Sequence, residues 1–336
     1  MRRLRSVDER GAAAVIVLAS MLTLFGMAGY VIDVGIVRQE RRELQNGADA
    51  AALDLAQECA LGRCTDLNSK AKTYADANAR DGHALASAAL INANSVKVDT
   101  HTETGTGATS LTMQFAQHFG HRTSTVGATA TARWGAPGSA STIPLTISYC
   151  EWNSLTGAGA TFPTAEATVY FHDPTSNGKP NSAACSGGPA GQDLPGGFGV
   201  LKVPSNNCSV AISAGGLYST RPGNADPSSE GCECSGAGND FPLNTDLLIP
   251  VYQAFGGSGA NGQYRIYGFA TFRMSRMRLK NGAGSNCWLT SPAPPNCSSS
   301  QPCIYGSFTR DIIPWTGSPA GPPGPSLGTF AVGLSA

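Results

Sequence analysis

From Ala12 to Ile32 the chain runs AAAVIVLASMLTLFGMAGYVI, 21 residues without a charge. An α-helix of that length reaches roughly 32 Å, against about 30 Å for the hydrocarbon core of a bilayer, so the spacing predicts one membrane span. Beyond Asp33 the pattern changes. Leu44, Ala48, Ala51 or Ala52, and Leu55 recur at spacings of three and four, with Arg38, Arg41, Arg42 and Glu43 between them. That is an amphipathic helix, and the span is expected to continue outward as a stalk. Asp33 itself is expected to mark the water edge of the span or to meet a basic group on a neighbouring helix.

The pieces around this run resemble the N-terminal segment of the TadG-like (TadE/TadG) proteins of tight-adherence, or Flp, pilus assembly. Members open with a charged leader and R-G, cross the membrane once, then carry D-V-G and R-R-E-L-Q-N-x-A-D-A-A-A-L. Here these are Arg10-Gly11, Asp33-Val34-Gly35, and Arg41 to Leu53, which includes Arg42, Leu44, Asn46 and Asp49. The likeness continues more loosely through KAKTYADANARDG, VKVDT and TMQFAQHFGHRTSTVGATATARWG, and LLIPVYQAFGGSGANGQYRIYGFATFRMSRMRL resembles the C-terminal region of some members. The resemblance implies a non-enzymatic, single-pass component that assembles, anchors or displays a Flp-type pilus or related surface structure. Its partners would be the membrane and other pilus-assembly or pilin-like proteins, with no nucleic acid, no small-molecule substrate and no cofactor. Some relatives add a von Willebrand factor A domain with a D-x-S-x-S metal site. That motif is absent from this sequence, so metal-dependent adhesion is not implied.

Two other readings of the opening lead elsewhere. Arg2, Arg3 and Arg5 with Gly26-Met27-Ala28 form a basic n-region and a small-x-small cleavage site, which would release a secreted adhesin or exoprotein. Against this, the uncharged run continues through Gly29 to Ile32. Cutting after Gly11 would instead make a minor pseudopilin, but Ile16 stands where pilin-like subunits place Glu.

Composition bounds the rest. Lys+Arg and Asp+Glu each total 23, so no net charge attracts nucleic acid. With 14% charged residues and 41 glycines, a loop-rich and strand-rich exterior is expected. Ten cysteines, Cys59, Cys64, Cys150, Cys185, Cys208, Cys232, Cys234, Cys287, Cys297 and Cys303, all follow the span. They read as disulfides of an oxidising compartment, with Cys59 and Cys64 able to staple the turn at Gly62 and the other pairings open. Cysteine usage therefore places the N-terminus in the cytoplasm and the rest outside a cell membrane. Basic residues alone do not, since they flank the span on both sides.

No proline precedes Pro137, and all 21 follow from there, so the exterior divides near 135. The fold class expected is α+β. Residues 1–11 form a basic leader and 12–32 the transmembrane helix. Residues 33–135 form the stalk and a small α+β unit, and 136–336 a β-rich, disulfide-containing extracytoplasmic domain. Within 33–135, a helix is predicted over Asp66 to Ala79. A hairpin is predicted between Val96–Thr100 and Ser110–Ala116, and a strand over Ser124–Trp134. Beyond 135, strands are predicted at Ile143–Tyr149, Ala165–Phe171, Leu247–Tyr252, Tyr264–Met277 and Thr329–Leu334.

Chemistry-bearing motifs are sparse. Gly324-Pro325-Ser326-Leu327-Gly328 matches G-x-S-x-G but sits in proline-rich chain rather than between a strand and a helix. Cys232-Glu233-Cys234 lacks a second close cysteine pair for a metal, and His118 with His121 reads as a polar pair at a strand end. Arg276, Arg278 and Lys280 alternate with apolar residues and are expected on one solvated strand face. No catalytic set, cofactor site or metal site is assigned.

Overall fold

A computed structural model describes residues 10–171, 197–204, 207–222, 231–233, 240–257, 261–279, 288–289, 303–314 and 325–335. The chain divides into two compact units, Met1–Arg133 with Gly333–Ala336, and Trp134–Val332. Architecture is α+β, with one long apolar helix, few other helices and many strands.

The first unit is built on α1 (Arg10–Ala60), 51 residues long and free of proline. Its outer half buries one stripe, Leu44, Ala48, Ala51, Ala52, Leu55 and Ala56, following the spacing of the sequence. Against the stripe pack α2 (Leu67–Asn78), through Ala71 and Ala75, and an antiparallel sheet. Its strands β1 (Ala84–Asn92), β2 (Ser95–Thr102) and β5 (Gly127–Gly135) pair in that order. Small residues set the distance between the helices, since a Cβ on Gly47 would stand 3.0 Å from the Ala75 Cα. Gly47→Leu should therefore destabilise this unit by about 1–3 kcal/mol, although leucine is the better helix former. Thermal unfolding of the variant checks it.

The predicted hairpin is replaced by a different one. The strand over 96–100 pairs with β1, in the register Ala88↔Val98, rather than with residues 110–116. The Ala-rich stretch ALASAALIN has no strand signature of its own, and burial against α2 and pairing with β2 impose the conformation. Of 110–116, only β3 (Leu111–Thr112) is strand, paired with β4 (Thr123–Ser124). A 3-10 turn, Ala116–Phe119, lies between them.

In the second unit β6 (Ser139–Thr142) precedes β7 (Ile147–Ser148), and the predicted strand over 143–149 is cut short by α3 (Tyr149–Thr156). The Ser148 Oγ accepts the Glu151 backbone N–H at 3.2 Å, an S-x-x-E helix start, and Gly157 ends the helix in the left-handed region. Then follow β8 (Ala167–Tyr170), β9 (Gly197–Leu201), β10 (Val210–Ser213), β11 (Leu217–Pro222), β12 (Asp246–Gly256) and β13 (Gln263–Arg278). The last are β14 (Trp288–Leu289), β15 (Cys303–Thr309), β16 (Asp311–Pro314) and β17 (Thr329–Leu334).

The sixteen-residue β13 organises an eight-stranded sheet. It pairs with β12 and then β14 along one edge and with β11 and then β15 along the other, while β8 extends β15. One apolar cluster gathers Trp152, Phe241, Phe272, Met274, Ile304 and Phe308, and a second gathers Leu201, Ile212, Tyr252, Tyr264 and Phe269. Alternate residues of β12 and β13 feed both. This is the β-rich part that strand spacing implied.

Candidate functional site along the membrane helix

Along α1 two environments follow each other. From Val15 to Ile32 the large side chains are exposed, Phe25 by 71% and Tyr30 by 70%, and this is the one helix among the described residues long and apolar enough to cross a membrane. From Leu44 onward the same helix is core. Solvent-facing leucine, isoleucine and phenylalanine over five turns are stable in lipid and not in water.

The change of environment falls at Asp33, and the structure gives this residue a definite role. It is 4% exposed, and its carboxylate accepts backbone N–H bonds from Gln114 (2.8 Å), Phe115 (3.1 Å) and Ala116 (2.6 Å). Asp33 is thus the anion at the start of the 3-10 turn, buried and hydrogen-bonded rather than open to water at the edge of the run. One helical turn earlier, Gly29 is buried beneath the Phe115 ring. A Cβ there would lie 2.5 Å from Phe115 Cγ. Only glycine lets the ring come so close.

The other signature residues divide between packing and surface. Leu44 is buried, and its carbonyl accepts the Thr100 hydroxyl at 3.0 Å, tying stalk to sheet. Asp49 accepts the Gln45 side-chain amide at 2.8 Å, beside a cavity lined by Thr129, Ala130, Thr131 and Ser335. Gly35, Arg42 and Asn46 are exposed, and a Cβ on Gly35 would meet nothing within 4 Å. Arg10 and Gly11 open the helix.

At its outer end α1 is closed by the Cys59–Cys64 disulfide, whose Cα atoms are 4.2 Å apart. Beside it Glu58 takes Arg63 at 2.7 Å and Lys70 at 3.1 Å. Hydrogen bonds from Arg63 and Lys70 pull the Glu58 carboxyl from 4.5 to about 2. A carboxyl lowered on folding stabilises above its unfolded value, so this contribution should be present above pH 4.5 and lost as pH falls toward 2. The Arg63 side chain is 60% exposed, so solvent screening leaves about 1 kcal/mol. Melting temperature against pH for the wild type and Glu58→Gln should converge at the acid end.

Elsewhere Cys208 is bonded to Cys232, and Cys150 and Cys303 are also disulfide-bonded. Among the described residues no cysteine is free, while Cys185, Cys234, Cys287 and Cys297 lie outside them. Asp240 stands near Cys208 and Cys232, but a disulfide has no thiolate to offer a metal. His118 lies on the 3-10 turn and His121 just after it, rather than at a strand end. Arg276 lies 5.2 Å over the Tyr305 ring, and Arg276 and Arg278 are half-buried rather than solvated. A register shift between Met274 and Arg276 re-aims this end of β13, and Lys280 lies outside the described residues. Of the G-x-S-x-G stretch, Gly324 lies outside as well, and Gly328 leads into a strand, not a helix.

Reasoning from sequence missed Gly29 and the 113–122 loop. The available signal was MQFAQHFG, where Phe115 and Phe119 stand four apart in polar chain.

No curated protein and no solved structure matches this chain. Residues 11–57 match the Tad family model, described as "Putative Flp pilus-assembly TadE/G-like", and it is over this N-terminal segment that the chain is similar to the TadE/G-like proteins.

Proposed function

We propose that the protein is a non-enzymatic, membrane-anchored component of Flp-type pilus assembly, working with other assembly or pilin-like proteins at the cell surface. The N-terminal leader faces the cytoplasm, α1 crosses the membrane once, and the chain beyond the span stands outside it. The observation that carries this reading is the coincidence of the Tad match, residues 11–57, with a helix exposed over its apolar half and buried over its outer half. Disulfides in both units support an extracytoplasmic location.

Intact mass of the protein from carbonate-washed membranes, before and after reduction and thiol alkylation, tests the anchor. A full-length mass that gains alkyl groups only after reduction is expected. A mass beginning at Ala12 would favour a pseudopilin, and one beginning at Gly29, or protein recovered from the medium, a secreted protein. Deletion of the gene should abolish or reduce surface pili, and piliation at the wild-type level would remove the assembly role.

A further inference from the structure

The loop 113–122 presents apolar surface that nothing in its own unit covers. Phe119 is 77% exposed, and Phe115 remains 42% exposed with one side against Gly29. Its position along α1 is fixed at two points. Asp33, the first residue after the uncharged run, holds the backbone of 114–116, and Gly29, about 6 Å further into the run, receives the Phe115 ring.

The rest of the ribbon leads to the same level. Val126 packs with Leu44, and Leu111 and Val37 lie against that cluster. The chain thus descends along the stalk toward the span, turns beside the span's last helical turn, and climbs back.

We propose that the tip of this loop is a second membrane contact, with Phe115 and Phe119 seated in the interfacial layer of the outer leaflet and phospholipid as their occupant. The proposal rests on reading α1 as a membrane span: if residues 12–32 lie in lipid, a ring packed on Gly29 is at bilayer depth. The side chains suit that depth. Two phenylalanines supply apolar area, while exposed His118, His121 and Arg122 stand where headgroup phosphates would be. A helix attached at one point can rotate and tilt, whereas a helix with an aromatic foot beside it presents its exterior unit in one orientation to the bilayer.

The test places the photo-crosslinker p-benzoylphenylalanine, one position at a time, at Phe25, Phe119 or Leu90 of the full chain. The chain is reconstituted in vesicles of phosphatidylethanolamine and phosphatidylglycerol. Leu90 is 48% exposed at the β1–β2 turn, the end of the unit far from the span, and serves as the background position. After irradiation, a mass increase of one phospholipid is expected from positions 25 and 119, with position 90 at background. Lipid adducts at 25 with only background at 119 would overturn the loop contact and leave the span standing. No adduct at 25 would remove the span reading and the proposal with it. Protein cross-links from 119 in place of lipid would also overturn the proposal, and would mark the foot as a protein contact.

Discussion

Replacing Trp152 with alanine is expected to destabilise the second unit by about 3–5 kcal/mol, the cost of emptying a large buried aromatic site. Trp152 is 2% exposed, lies 5.5 Å from the Tyr149 ring, and donates its indole N–H to the Leu327 carbonyl at 3.2 Å. It therefore joins α3 to the chain that enters β17, a connection across 175 positions of sequence. Trp152→Phe separates the two contributions. It retains most of the packing but leaves a buried carbonyl without its donor, for an expected loss of about 1–3 kcal/mol. Chemical unfolding of the full chain, followed by hydrogen exchange in β12 and β13, reads the effect in the second unit alone. Exchange in the Ala variant equal to wild type would mean that the indole is not a keystone of this core.

The second large effect is expected at Asp33. In Asp33→Asn one acceptor oxygen becomes an N–H donor facing the amides of 114–116, and in Asp33→Ala both acceptors are gone. Exchange at the Gln114, Phe115 and Ala116 amides should rise by about tenfold or more in either variant. Helical content should be unchanged, because the bonds the Asp33 carboxylate accepts come from the 114–116 backbone and not from α1. Limited proteolysis should cut first within 113–122. Wild-type exchange in the Ala variant would show that the ribbon holds its place without the carboxylate. The same variants should lose lipid cross-linking from position 119 while keeping it from position 25, since the foot depends on Asp33 and the span does not.

How much of this could be read beforehand differed by element, for physical reasons. The long helix announced itself by an uncharged run of fixed length, and the stalk by a 3.6-residue repeat. Strands β12, β13 and β17 carried enough branched and aromatic residues to show. What failed were places where a weak local preference was settled by a distant partner. ALASAALIN is a strand because β2 lies alongside it. Residues 143–149 alternate like a strand, yet the Ser148 hydroxyl accepts the Glu151 N–H and caps a helix that begins at Tyr149. Serine and glutamate three apart were visible in the sequence, but the alternation before them dominated the reading. The staple Cys59–Cys64 was legible because its closure is local. Cys208–Cys232 was not, because it depends on loops that bring distant chain together. Asp33 was noticed for its charge, but its three donors come from residues more than eighty positions later.

The second unit is an insertion. The chain leaves the first unit after Arg133 and returns to it at Gly333, where the Ser335 N–H donates to the Thr131 carbonyl at 2.8 Å. The first unit is therefore assembled from two stretches of chain far apart in sequence, and it is completed only after the whole of the second has been synthesised.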